Sequence, residues 1–284
     1  MKITTLVENN ICSSQKEIYR ELESQHGLSL YIETAEKKIL FDTGKDDLFY
    51  KNSEILGVDI SKVDYLVLSH AHYDHAGGLV KFLEINKTAK IIVSAGAREE
   101  VYSKRLGFYK YIGIKNKLLE ENIDRFILVK KEFKLDKNIN FMRNTNHEGD
   151  SLKGNSHLYK KSGEAYILDD FSHELIMVIE EEKDELIVFT GCSHGGILNM
   201  VKSTKDRYPD KKIVGLVGGF HLQNNITKKL AEPEERVVNI GENLMEIPHI
   251  YTGHCTGKKG FSVLKEILGG QIEEFNTGKV FEIS

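Results

Sequence analysis

The sequence predicts an α/β chain built as a mixed sandwich. Short apolar segments rich in Val, Ile, Leu and Phe alternate with stretches of helical period. The two halves of the chain share a strand-then-helix rhythm, which favours layered sheet and helix over an all-β fold. Clusters of His, Asp, Cys and Gly follow directly on several of the apolar segments, so polar groups gather at strand ends.

Residues 2–8, 28–34 and 38–42 are short apolar runs separated by turn residues and read as strands. Residues 47–56 carry helical periodicity, and 63–69 (VDYLVLS) read as a buried strand. A helix is expected over 78–86 and a strand over 90–94 (KIIVS). Residues 96–125, with Tyr102, Phe108, Tyr109 and Tyr111 interleaved with lysines, read as helical. Strands are expected within 126–143, 156–169 and 174–180, and the charge run from Glu180 to Glu185 as a solvated hairpin tip. The second half then gives a strand at 186–190, a helix at 196–208, a strand at 212–218 and a helix at 232–245. A short strand at 250–252, a helix at 261–268 and a closing strand at 278–283 complete the expectation. No Gly-, Ser- or Pro-rich linker and no repeat divides the chain, so a single domain over 1–284 is expected. Residues of about 96–160 are expected to shape a substrate pocket.

Composition narrows the functional classes. The chain has 284 residues, with 40% hydrophobic and 29% charged residues, enough for a substantial core. A net charge of −4 argues against a general nucleic-acid binder. The three cysteines, Cys12, Cys192 and Cys255, form no C-x-x-C pair and no disulfide framework, which suits a reducing compartment. The N-terminus shows no apolar signal region, and no uncharged run approaches the ~20 residues needed to span a bilayer. A cytoplasmic protein without a membrane partner is therefore expected.

The densest chemical signal is His70-Ala71-His72-Tyr73-Asp74-His75, directly after the strand at 63–69 and before Gly77-Gly78. Imidazoles and a carboxylate at the rim of a core are costly unless something binds them, and a metal ion removes that cost. In extended chain, residues two apart point the same way, so His70 and His72 can reach one cation together. After the turn, Asp74 and His75 can serve a second. Neutral imidazole with carboxylate suits zinc, and also manganese or iron. His194 repeats the context of a strand, a histidine and a glycine pair (Gly195-Gly196), and His254 stands in a similar setting near the C-terminus.

These phrases, with Phe41-Asp42-Thr43-Gly44 upstream, resemble the motifs of the metallo-β-lactamase-fold superfamily over nearly the whole chain. The resemblance implies an αββα sandwich of two mixed β-sheets flanked by helices, an α+β arrangement with its site at one edge of the sheets. It implies one cation at His70, His72 and His194 and another at Asp74, His75 and His254, with one or two Zn2+ as cofactor. It also implies that Asp42 accepts a proton from a metal-bound imidazole and so fixes its orientation; a turn-forming Asp is the other reading. The phrases His26-Gly27-Leu28-Ser29-Leu30, Gly218-Gly219-Phe220-His221-Leu222 and Gly253-His254-Cys255-Thr256-Gly257 resemble one branch, the dihydropterin synthase-like proteins.

One departure from the superfamily pattern stands out. A carboxylate commonly bridges the two metals from the strand end between the last two histidine motifs, yet 214–222 holds no Asp or Glu. His221 stands there instead, as a ligand, a proton donor, a grip for a substrate phosphate, or a packed residue. Cys192 and Cys255 read as small buried apolar groups, with thiolate ligation the alternative. Asp169, Asp170 and Glu174 read as hairpin borders, and Lys258-Lys259 as solvated lysines ahead of a helix. His26 can approach the site from an early loop. His147, His157, His173 and His249 have no spacing that implicates them.

The function expected is a metal-dependent hydrolase or transferase on a small phosphorylated or ester substrate, with Asp74 and His221 as catalytic groups. The alternatives are a dihydropterin-diphosphate condensing synthase, for which the aromatics at 102–111 offer stacking to a pterin-like ring, and a non-catalytic metal- or ligand-binding sensor. A di-iron oxygen reductase is disfavoured, because that group resembles H-x-E-x-D-H and His72 stands where it has Glu.

Overall fold

The computed structural model describes residues 1–13, 20–146, 151–224 and 227–283. Its first half runs β1 (Lys2–Val7), β2 (Ser29–Glu33), β3 (Lys38–Phe41), α1 (Leu48–Ile55), β4 (Tyr65–Leu68), α2 (Tyr73–Ala76), α3 (Leu79–Ile85) and β5 (Lys90–Ser94). Next come β6 (Val101–Arg105), β7 (Phe108–Tyr111), α4 (Asn116–Glu121), β8 (Phe126–Val129), β9 (Glu132–Lys134), β10 (Ile139–Met142), β11 (Leu158–Ser162) and β12 (Ala165–Leu168). The second half holds β13 (Ile176–Glu180), β14 (Glu185–Phe189), α5 (Ile197–Arg207), β15 (Lys212–Val217), α6 (Glu234–Leu244), β16 (His249–Thr252), α7 (Gly257–Leu268), β17 (Ile272–Glu274) and β18 (Val280–Glu282).

Two seven-stranded sheets carry the fold, in the orders β18-β1-β2-β3-β4-β5-β8 and β17-β16-β15-β14-β13-β10-β9. Both are mixed. β3, β4, β5 and β8 run parallel in the first, and β14 to β17 run parallel in the second. Strands of this kind are buried on both faces, which is why their sequences are continuously apolar. In β4, Leu66 and Leu68 face one way, toward Phe49 of α1 and Phe82 of α3. Val67 faces the other way, into an apolar cluster between the sheets that also holds Phe41, Ile92, Phe141, Met177 and Phe189. On the far side, Val188 and Leu216 pack with Met200, Val237 and Leu264 of α5, α6 and α7. Helix, sheet, sheet, helix is the layering the resemblance implies. Among the described residues, no helix is long and apolar enough to cross a membrane.

The structure corrects the expectation of a helix over 96–125. Val101–Arg105 and Phe108–Tyr111 form an antiparallel hairpin in a separate four-stranded sheet, β12-β11-β6-β7, and only Asn116–Glu121 is α-helical there. The physical reason is period and turn chemistry. Val101 and Ser103 are buried while their neighbours are not, a repeat of two. Leu106 and Gly107 both hold positive φ (48° and 85°), the conformation of a tight hairpin turn whose twist matches the strands. The aromatics pack on one another: the Tyr109 and Tyr166 rings stack at 3.9 Å, and Tyr102 meets Tyr166 edge-on. A smaller correction concerns α7, which starts at Gly257, so Lys258 and Lys259 lie inside it rather than ahead of it. His147 lies outside the described residues.

Gly77 marks where backbone must approach backbone. A Cβ there would meet the Lys45 carbonyl oxygen at 2.0 Å. Gly77→Ala is therefore expected to cost ~1–3 kcal/mol, seen as a lower urea midpoint. Gly270→Ala, where a Cβ meets nothing within 4 Å, is the control and should leave the midpoint near wild type. Equal midpoints for the two variants would contradict the close approach.

Candidate metal centre

Each candidate side chain leaves the C-terminal end of a parallel strand, the edge at which such sheets present ligand sites. Asp42 follows β3, His70 and His72 follow β4, and α2 carries Asp74 and His75. Cys192 and His194 follow β14, His221 follows β15, and His254 and Cys255 follow β16. Asp42, Ser193, His221 and His254 all hold positive φ (61°, 56°, 48° and 51°). Such backbone costs ~1–3 kcal/mol per residue and persists only where the surroundings enforce it.

Two groups form. In the first, one ring nitrogen each from His70, His72 and His194 lies within 4.8 Å of the others, and all three residues are buried. In the second, His254 Nε2 lies 3.2 Å from His75 Nε2 and 3.5 Å from Asp74 Oδ2. His26 joins this group from its early loop, with Nε2 3.1 Å from Asp74 Oδ2. The structure thus brings together His70, His72, Asp74, His75, His194 and His254 at one rim.

Hydrogen bonds behind the rings decide which nitrogens stay bare. His75 Nδ1 donates to Asp42 Oδ2 at 2.6 Å. Asp42 Oδ1 also accepts the Ser69 backbone N–H, and Oδ2 accepts the Ser69 hydroxyl, each at 2.7 Å. That leaves Ser69 Oγ free to accept from His70 Nδ1 at 2.9 Å. His254 Nδ1 donates to Asn9 Oδ1 at 2.9 Å and His194 Nδ1 to Asn155 Oδ1 at 3.0 Å. In these tautomers Nε2 of His70, His194 and His254 carries a lone pair, and His72 turns Nδ1 toward His70 Nε2 at 3.1 Å. His72 Nε2 and His194 Nε2 are buried without any protein partner. Converging buried imidazole nitrogens with one carboxylate fit a zinc-class cation.

Burial disfavours the charged form of every one of these rings. It pulls His72 down to about 3 and holds His70 and His194 well below the ordinary histidine value. Burial also lowers His75, but the Asp42 carboxylate outweighs it and brings that ring up to about 9. Burial alone would raise Asp74; the His254 and His26 rings facing its carboxylate instead hold it well below the carboxylate range.

Several contributors carry no readable sequence signal. Asn9 and Asn155 orient ligand rings, and Asn155 Nδ2 also donates to the His194 carbonyl at 2.9 Å. Glu174 is buried and accepts the backbone N–H groups of His194 and Gly195 at 2.7 and 2.8 Å, and burial pushes it up to about 7. His173 is buried too; it bonds Asp169 Oδ2 through Nε2 at 3.0 Å and accepts the Ala71 N–H through Nδ1. His173, Asp169 and Glu174 therefore support the site rather than border a hairpin or sit on the surface. His249 is exposed, whereas His157, which no spacing implicates, is half-buried and lines the cavity at this site.

A cavity of about 320 Å³ opens beside the two groups. His72, Asp74, His194 and His221 line its inner part, and exposed Arg105, Lys110 and Lys228 line its outer part. The His221 ring lies 4.1 Å from the His194 ring, and neither of its nitrogens has a partner. From the hairpin segment, Ser103 and Ile112 reach the cavity, whereas Tyr102, Phe108, Tyr109 and Tyr111 do not line it.

Comparison with known proteins agrees with this geometry. The family profile of the metallo-beta-lactamase superfamily matches residues 25–197. The 7,8-dihydropterin-6-methyl-4-(beta-D-ribofuranosyl)-aminobenzene-5'-phosphate synthase of Methanocaldococcus jannaschii is 30% identical over 273 residues, covering 91% of this chain and 90% of that protein. An uncharacterized protein of the same organism is 28% identical over 256 residues, covering 88% of this chain and 91% of its own. A crystal structure of a metal-dependent hydrolase of the beta-lactamase superfamily superposes with a TM-score of 0.82 at 27% identity, over 100% of this chain and 99% of that one. With the profile, the relatives and the sandwich in accord along most of its length, this chain belongs to the metallo-beta-lactamase superfamily.

Proposed function

We propose that this protein is a metal-dependent hydrolase or transferase acting on a small anionic substrate that carries a phosphoester or ester group. The observation that carries the proposal is the convergence of buried imidazole nitrogens from His70, His72 and His194 beside a cavity edged by basic side chains. In this reading His70, His72 and His194 hold one zinc-class ion, and Asp74, His75 and His254 hold the other. Bound there, such ions supply Lewis acidity toward a phosphoryl or carbonyl oxygen and a water of lowered pKa.

The remaining steps belong to the chain's own groups. Asp74 orients the attacking water and takes its proton through a carboxylate oxygen. His221, with both ring nitrogens unpartnered on the cavity wall, donates a proton to the leaving oxygen. Arg105, Lys110 and Lys228 bind the anionic part of the substrate and set its direction.

A second reading is the condensing synthase, supported by the 30% identity to the archaeal pterin-pathway enzyme across 91% of this chain. The three basic side chains would then grip a diphosphate leaving group, and the amino nitrogen of the aminobenzene would attack the pterin methylene carbon in place of water, losing its proton as the diphosphate departs. Assays with phosphoesters, lactones, thioesters and a dihydropterin diphosphate plus an aminobenzene phosphate, each with Zn2+ or Mn2+, separate the readings. Silence on every substrate by a metal-loaded protein would favour a sensor.

Three outcomes are expected. His72→Ala removes bound zinc measured by elemental analysis and abolishes turnover; full turnover in that variant would refute the metal mechanism. Asn155→Ala keeps all the ligands but releases the His194 ring, so zinc affinity in a competitive chelator titration falls roughly 10–100-fold. The double variant Arg105→Ala/Lys110→Ala raises KM for an anionic substrate more than it lowers kcat. An unchanged KM would place the substrate elsewhere.

A further inference from the structure

We propose that the Cys192 thiolate is an additional metal ligand, shared between the two cation positions. The inference rests on the metal reading above and deepens it. Cys192 is buried, and its Sγ lies 3.1 Å from His75 Nε2. Sγ and a ring nitrogen each from His70 and His75 all lie within 4.8 Å of one another. His70 belongs to the first group, with His72 and His194, and His75 reaches His254 of the second at 3.2 Å. Cys192 therefore stands within reach of a member of each.

Local backbone brings it there. Gly191 presses against the first histidine loop so closely that a Cβ would meet Ser69 Oγ at 2.1 Å and His70 Nδ1 at 2.9 Å. Ser193, on the other side, holds the strained φ of 56°. Only glycine permits that approach, and the approach carries the thiol to the middle of the site.

Charge gives the reason for an anionic donor at this point. Two dications ringed by neutral imidazoles would face a single carboxylate among the ligands, Asp74, in a buried site. A thiolate adds one negative charge between them, and sulfur is a good zinc donor. The segment after β15, 218–222, brings no Asp or Glu that could do so. Cys255 Sγ groups with Cys192 and His221 but, among the described residues, with neither His70 nor His75; it accepts the His221 backbone N–H at 3.3 Å and lies 3.6 Å from the Cys192 carbonyl oxygen. On metal entry the Cys192 S–H bond breaks, the proton leaves to solvent and the sulfur lone pair forms the metal bond, with no change of oxidation state.

Cobalt substitution tests this directly. The full chain, stripped with a chelator and reloaded with Co2+, is expected to show thiolate-to-cobalt charge-transfer absorption in the near ultraviolet. Cys12→Ser/Cys255→Ser, which leaves Cys192 as the sole thiol, keeps that band. Cys192→Ser and Cys192→Ala lose it and bind less cobalt per chain, with circular dichroism reporting that the fold is retained. Should the Cys192 variants fail to fold, the band in the Cys12/Cys255 variant carries the test alone. A wild-type protein that binds cobalt but shows no such band overturns the proposal and leaves the histidine site standing. Loss of the band in Cys255→Ser with retention in Cys192→Ser overturns it equally. A wild type that binds no cobalt overturns the metal reading and this inference together.

Discussion

The buried Asp42 carboxylate is the constraint on which the rest of the site depends. It stands at the end of β3 and accepts three hydrogen bonds, from the Ser69 backbone, the Ser69 hydroxyl and the His75 ring. Bonds to a charged group contribute ~1.5–3 kcal/mol each. The positive φ of Asp42 costs ~1–3 kcal/mol, so the bonds outweigh the strain. Through them one side chain fixes the end of β4, orients His75 directly, and orients His70 through Ser69. Parallel pairing of β3 with β4 sets the two strand ends side by side, so the sheet itself delivers Asp42 to the histidine loop.

The same logic extends around the rim. Asn155 holds the His194 ring and its carbonyl, Asn9 holds the His254 ring, and Glu8 accepts the His254 backbone N–H at 2.6 Å. The His70, His75, His194 and His254 rings are thus each turned by a partner behind them. Without a cation, His72 Nε2 and His194 Nε2 are buried polar atoms with nothing to bond. Such atoms cost ~1–3 kcal/mol each, and the binding of an ion removes that cost. Under the proposed function, metal affinity and local stability would therefore be linked at this rim.

Net charge and local charge point in opposite directions here. The chain carries −4 overall, yet the outer cavity presents Arg105, Lys110 and Lys228. Two of the three come from the β6–β7 hairpin, the part of the chain that stands outside the two main sheets. Under the proposed function, selection of an anionic small molecule would arise from this local field and from the enclosing wall. The hairpin's tyrosines serve the hairpin, stacking on one another and on Tyr166 of β12.

The motif His70-x-His72-x-Asp74-His75 was legible because its ligands lie close in sequence, and the spacing of a strand and a turn already sets their directions. His194 and His254 were legible by the same context of strand, histidine and glycine. The doubly buried strands declared themselves through unbroken apolar runs such as 65–68 and 186–189. The β6–β7 hairpin was not legible, because a short stretch of aromatics and lysines satisfies helical and extended periods alike, and only pairing with β11 decides between them. Asn9, Asn155, His173 and Glu174 were invisible for a different reason. Each meets its partner across a gap of tens to hundreds of residues, and no local spacing encodes such a meeting. Local spacing was enough to put the histidines of the three motifs and Asp74 at strand ends. The tertiary structure alone decided which nitrogen of each ring is bare and which groups face one another, because hydrogen bonds between distant loops set those orientations.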